Sequence, residues 1–199
     1  MKGGKSIKKQ LLNEIHNQKF QLNCSLVIMS NVLFESDNLR MRRFLASDKA
    51  FVFELLNTPA WKKFIGDRNI HTLVDALNYI QKGPLSLYEK YGFGPWIVEL
   101  KFTEDVIGMC GLFKRDYLDQ PDLGFAFLPG YEGRGLAYEA CIASLSYIKS
   151  NYTFDKLYAI TTDDNVRSRR LLERCGFLNS GTIISTEGEG LLLYNIQLS

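Results

Sequence analysis

One stretch limits the folds open to this chain more than any other. Over residues 122–175 a strand-like run, DLGFAFL, enters a glycine-spaced loop, PGYEGRG, and a helical run; a second strand, KLYAITT, and a second helix, NVRSRRLLERC, follow. A helix that starts straight after such a loop leaves its first amides without partners, and Gly130, Gly133 and Gly135 let the backbone come close to an anion. Two common phosphate loops do not fit. A dinucleotide fingerprint needs glycine where Tyr138 stands, and a P-loop framed on Gly130 and Gly135 needs Lys then Ser or Thr where the chain has Leu136 and Ala137. The loop reads as an anion holder of another kind, or as a tight strand-to-helix turn with no ligand.

The remaining elements frame it. NLRMRRFL alternates as a first strand, and Ser47 is placed to cap a helix through DKAFVFELLN that stops before Pro59. Thr72 caps a second helix with Leu73, Ala76, Leu77 and Ile80 on one stripe, ending at Gly83-Pro84. WIVELKF, VIGMCGLFKRD and LGFAFL read as strands, the first two joined by a tight turn at Thr103-Glu104-Asp105. Leu136, Ala140, Ala143 and Tyr147 form a stripe on the helix that begins near Arg134, as on a helix lying against a sheet. The helix over residues 165–175 stops at Gly176, and GTIISTEGEGLLLYNIQL makes a glycine-turned hairpin. This order predicts an α+β fold: one domain with a mixed, mostly antiparallel twisted sheet flanked by helices.

Charge and cysteine usage remove several functions. Residues 1–28 carry Lys2, Lys5, Lys8, Lys9 and Lys19 against Glu14, a net of +4, which leaves the rest of the 199-residue chain at −2. The body therefore lacks the basic face that nucleic acid requires. The leader, with Ile7, Leu11, Leu12 and Ile15 at helical spacing, reads as a dispensable extension or as a basic amphipathic helix at a membrane surface. A domain over residues 29–199 follows it. No apolar run is long enough to span a membrane. The four cysteines form no CxxC pair, and Cys110, Cys141 and Cys175 sit in apolar runs, so buried thiols in a reducing cytoplasm are expected, with no metal site.

With these motifs in place, the chain resembles the GNAT superfamily of acetyl-CoA-dependent N-acetyltransferases. Within it, the chain is similar to the branch of the RimJ/RimL ribosomal-protein N-terminal acetyltransferases. NLRMRRF, GLFKRD, DLGFAFLPGYEGRGLAYEA, NVRSRRLLERCGF and GLLLYNI carry the resemblance, in order, from about Met29 to the C-terminus. It implies that the glycine loop and the helix start hold the pyrophosphate of coenzyme A, with Phe127, Leu128, Gly133, Arg134, Gly135, Leu136 and Ala137 on one side. Asn165, Ser168 and Arg170 would lie on the other. It implies acetyl-CoA as co-substrate, no metal, and an amine acceptor, a peptide N-terminus before a polyamine, aminoglycoside or amino sugar. A CoA-binding module without turnover is the alternative of another class. The oligomeric state is monomer or homodimer.

Two residues stand out as catalytic. Ser168 shares a helix face with Leu171, Leu172 and Cys175, so its hydroxyl points inward, either back-bonded to the Asp164 carbonyl or, as the resemblance implies, beside the departing thiolate. Many relatives place a Tyr four residues after this Ser; here that residue is Leu172, which leaves Ser168 or a water as the acid. Asp122 stands where the branch has a carboxylate, usually Glu, that draws a proton from the amine. Its side chain is one methylene shorter, which favours a bridging water; a simple solvated carboxylate is the other reading. Glu99, Asp116 and Asp119 are competing bases. An α-amine of pKa about 7.8 is roughly 14% neutral at pH 7 and a Lys amine about 0.04%, a difference of about 3.5 kcal/mol that favours an α-amine acceptor.

Overall fold

A computed structural model describes residues 31–198, and residues 34–199 form the compact unit that carries the site. The expected boundary between a basic leader and a domain starting at 29 lies outside the described residues, as does Cys24.

Eight strands form one sheet: β1 (Val32–Glu35), β2 (Leu39–Arg42), β3 (Pro95–Leu100), β4 (Val106–Phe113), β5 (Asp122–Phe127), β6 (Lys156–Thr161), β7 (Leu178–Ile184) and β8 (Gly190–Gln197). Their order is β1-β2-β3-β4-β5-β6-β8-β7, so the final hairpin folds back with β8 beside β6. Neighbours from β2 onward run antiparallel except β5 and β6. Among the described residues six α-helices flank it: α1 (Lys49–Leu56), α2 (Pro59–Phe64), α3 (Leu73–Ile80), α4 (Ser86–Tyr91), α5 (Leu136–Asn151) and α6 (Val166–Arg174). The predicted α+β architecture is the observed one.

Strand alternation sorts the core onto two faces. Ile97 and Met109, opposite each other on β3 and β4, join Phe51, Leu55, Trp61, Ala76 and Ile80 under the α1–α3 layer. Trp96, one residue out of phase, points the other way, against Phe34 and Tyr147 of α5 (ring centroids 5.0 and 5.5 Å). Cys110, Cys141 and Cys175 are buried free thiols, as their apolar settings predict. A buried ion-pair cluster ties the layers: Arg42 holds Asp48 at 2.8 Å and Glu99 at 2.6 Å.

Local signals held at some ends and failed at others. Thr72 caps α3, its hydroxyl accepting from the Asp75 amide while the Asp75 carboxylate accepts from the Thr72 amide. Ser47 is not a cap: it lies inside a 3₁₀ turn, Ala46–Asp48, and α1 begins after Asp48. Nor does Gly83-Pro84 end the helical path. A π-helical turn, Gln81–Leu85, carries the chain through Pro84 into α4, because the widened turn does not need the i→i−4 bond that proline cannot make. Among the described residues no helix is long and apolar enough to cross a membrane.

Candidate active site

β5 and β6 run parallel and touch at one register pair, Asp122 opposite Tyr158, where the Tyr158 amide donates to the Pro121 carbonyl at 3.0 Å. Beyond that point the ladder stops and the strands part. The Leu128 amide donates to the Ile107 carbonyl of β4 at 2.9 Å. By alternation the amides of Ala126 and Gly124 also face β4, and those of Phe125 and Phe127 face the gap toward β6. The sheet thus presents an open backbone edge to the inside of a wedge.

The glycine loop closes the wide end of this wedge. Gly133 and Gly135 adopt left-handed φ values of 72° and 80°, which is why neither carries a side chain. A Cβ at either position would meet no atom within 4 Å, so the space over the loop is open. Gly135 is the N-cap of α5 and offers no side-chain cap, so the first-turn amides of Leu136, Ala137 and Tyr138 have no intrahelical acceptor. Across the gap, Asn165 caps α6 with its Oδ1 accepting from the Ser168 amide at 3.2 Å, the capping role expected of it. The Ser168 hydroxyl makes no hydrogen bond among the described residues, so the back-bond to Asp164 is not formed. Asn165, Ser168, Arg170 and the buried Leu172 line the same cleft of about 1080 Å³ as Phe127, Gly133, Gly135, Leu136 and Ala137.

Two residues expected in that set stand elsewhere. Leu128 packs into the core beneath α1–α3 and its amide is spent on β4. Arg134 faces a separate depression with Glu139 and Ser146, its guanidinium 5.6 Å from the Tyr131 ring, because the left-handed turn at Gly135 aims it away from the cleft.

Asp122, Gly124 and Ala126 share the face that looks toward the helical layer, as alternation requires. Asp122 lines the cleft at 1% exposure and is held by Arg115, whose Nε lies 3.0 Å from both carboxylate oxygens. Burial pushes the carboxyl above its usual range, and the Arg115 guanidinium pulls against that. The competing bases are not in the cleft: Glu99 is bound to Arg42, Asp119 faces Lys156 at 3.6 Å, and Asp116 is exposed on the strand-to-strand connection.

Beyond Asp122 the cleft continues over α2 and α3, lined by Trp61, Phe64, Ile70, Tyr79 and Phe113. Trp61 and Phe64 come from α2. Tyr79 carries no sequence signal of a site residue. It sits on the α3 stripe beside Ala76 and Ile80, and nothing in its local sequence separates it from a packing residue. Burial raises its hydroxyl pKa, with Arg68 and Arg115 acting in the opposite sense.

Residues 38–178 match the family model described as an acetyltransferase (GNAT) domain. The Bacillus subtilis (strain 168) protein YkkB is 30% identical over 152 residues, covering 74% of this chain and 86% of YkkB. An acetyltransferase from Agrobacterium tumefaciens superposes with a TM-score of 0.71 at 20% identity, covering 82% and 93% of the two chains. A ribosomal-protein-S5-alanine acetyltransferase from Vibrio fischeri gives 0.69 at 16% identity, covering 83% and 96%. A spermidine N-acetyltransferase from Vibrio cholerae, solved with CoA and spermine, gives 0.68 at 17%, covering 82% and 97%.

Proposed function

The chain belongs to the GNAT acetyltransferase family, and from that premise we propose that it moves an acetyl group from acetyl-CoA to the α-amine at a peptide N-terminus, in the manner of the RimJ/RimL branch. The open edge of β5 running into the uncapped start of α5 supports the donor half of this reading. The residues fit the donor. Amides of residues 136–138 meet a pyrophosphate at the helix's positive end, Arg170 adds charge at the rim, and the Phe125 and Phe127 backbone edge can pair with the amide-bearing pantetheine arm. Bound there, acetyl-CoA supplies an activated thioester carbonyl to the amine.

The observation that carries the acceptor half is the state of Asp122. It is the carboxylate on the inner wall, and it is fixed on Arg115 and nearly sealed from solvent. A base so held takes a proton through a water rather than by direct contact. It suits an amine that is already partly neutral at pH 7, and makes a poor site for a Lys-like amine that must recover about 3.5 kcal/mol. Ser168, free of other bonds, is positioned to donate to the departing thiolate. Attack is direct: Cys110, Cys141 and Cys175 are buried and His71 is outside the cleft, so no thiolate nucleophile is assembled among the described residues.

Free-thiol release from acetyl-CoA tests the proposal, run against short peptides with varied N-termini and, separately, against polyamines and aminoglycosides. Turnover with peptides that falls in Asp122→Asn and Ser168→Ala supports it. Turnover confined to small polyamines refutes the acceptor and leaves the transferase.

A further inference from the structure

The acceptor end of the cleft carries a charge pattern that the reading above does not use. Among the described residues three carboxylates line the cleft, and each is already engaged. Asp75 accepts from the Thr72 hydroxyl and from the Thr72 and His71 amides, Asp122 is on Arg115, and Glu132 is on Arg167 at 2.6 Å. The cations are not balanced in the same way. Arg68 and Lys82, both at the α2–α4 end, have no carboxylate partner among the described residues. Aromatic and aliphatic groups line the same cleft: Trp61 and Phe64 on α2, Ile70 before α3, and Tyr79 on α3. The Tyr79 hydroxyl has no hydrogen-bond partner among the described residues, and Arg68 and Arg115 act on it electrostatically. The pocket is therefore an apolar slot with unspent positive charge at its mouth and an unspent hydroxyl in its wall.

A polycation entering this slot would give up its hydration and meet cations, with no carboxylate released to receive it. An apolar group would bury against Trp61, Phe64 and Ile70, and a carboxylate beside it would find the guanidinium of Arg68 and the ammonium of Lys82 for charge-assisted contacts. Resting on the amine-acetylating reading above, we propose that the acceptor is an α-amine on an apolar or aromatic body that also bears a carboxylate, held by Arg68 and Lys82, and that polycationic amines are excluded. That carboxylate is either the molecule's own α-carboxylate or an acidic side chain one residue into a peptide.

Calorimetry on the full chain loaded with CoA separates these cases without needing turnover. The probes are acetylated products and one polycation: N-acetylphenylalanine, its neutral amide, N-acetylphenylalanyl-aspartic acid α-amide with its side-chain carboxylate free, and spermine. One of the two acids should bind about tenfold tighter than the amide, the worth of one charge-assisted contact at about 1.4 kcal/mol per decade, and the gap should shrink with added salt. The double variant Arg68→Gln, Lys82→Gln should erase that gap and leave the amide's affinity in place. Both side chains are exposed, so unchanged thermal unfolding verifies that the variant is folded. Preference for N-acetylphenylalanine identifies a free amino acid as the source; preference for the aspartyl probe identifies a peptide. Acids that bind no better than the amide, acids that do not bind, or spermine binding tighter than either, overturn the proposal. Titration of CoA alone, read separately, isolates the transferase reading: loss of CoA binding sinks that reading, whereas CoA binding without acid preference sinks this one.

Discussion

Gly135→Ala separates two roles that one glycine fills. At φ 80° an alanine pays the left-handed penalty of about 1–2 kcal/mol. In a chain of this length that lowers the melting temperature by roughly 2–4 °C for each kcal/mol. The new methyl clashes with nothing, since no atom lies within 4 Å of its position, so the fold has no further reason to suffer. Any loss of ligand beyond this comes from the open space the methyl fills and from the tilt it imposes on the first amides of α5. Disturbing one or two amide–phosphate contacts, at about 1.5–3 kcal/mol each, weakens CoA by roughly 10- to 100-fold or more. Gly130→Ala is the internal control: it has an ordinary φ, open space around its Cβ, and a place outside the cleft, so stability and CoA affinity should both stay near wild type. Calorimetric titration of CoA beside thermal unfolding of the three proteins reads both quantities. A Gly135→Ala protein that melts lower yet binds CoA like wild type would show that the phosphates do not lie over this loop.

Three further outcomes follow from buried and half-buried polar groups. Arg42→Ala strands Asp48 and Glu99 in the core and should cost about 3–5 kcal/mol in urea unfolding; a loss under 1 kcal/mol would mean water reaches them. Ser168→Ala should lower kcat by about tenfold or more, with CoA affinity within a factor of about two, if its free hydroxyl serves the thiolate; equal kcat would assign that proton to a water. Glu139 on α5 accepts from the Ser36 hydroxyl and the Asn38 amide and side chain; burial opposes its ionisation, but those donors outweigh it and hold the carboxyl below its ordinary 4.5. Its stabilisation is therefore complete above the unfolded-state value and lost as pH falls through the lower folded-state one. Glu139→Gln should cost about 1 kcal/mol at pH 7, and chemical unfolding should show the gap closing below about pH 4.

The donor half of the cleft was legible because it is local. Residues 127–138 and 165–175 each fold as one strand–turn–helix or capped-helix unit, so glycine spacing, Asn165 as cap and the inward Ser168 could be read from short-range rules. The resemblance also set Leu128 and Arg134 in this group; the structure puts the Leu128 side chain in the core and Arg134 on a separate depression, since adjacency in a loop does not fix direction. A bond from Leu128 to Ile107 on another strand, and the turn at Gly135, set where those side chains go. At Gly83-Pro84 the turn signal was real but lost to the packing of α3 and α4, which a π turn preserves.

The acceptor half was not legible, for the opposite reason. Trp61, Phe64, Ile70, Tyr79 and Phe113 come from four separate elements and loops and each alone reads as core, while Asp122 stood out only through the resemblance. Their meaning lies in the pairing that distance in sequence hides. Arg115 reaches forward seven residues to immobilise Asp122, which turns a strand-end carboxylate into a fixed, buried one and leaves Arg68 and Lys82 without a carboxylate partner at the α2–α4 end of the pocket among the described residues. Replacing Arg115 by Met should then act on both halves at once. Asp122, losing its cation, moves further toward the protonated form, so the acid limb of the kcat/KM profile should shift to higher pH, while the pocket loses part of its positive field. A profile that keeps its acid limb in Arg115→Met would place the base elsewhere than Asp122.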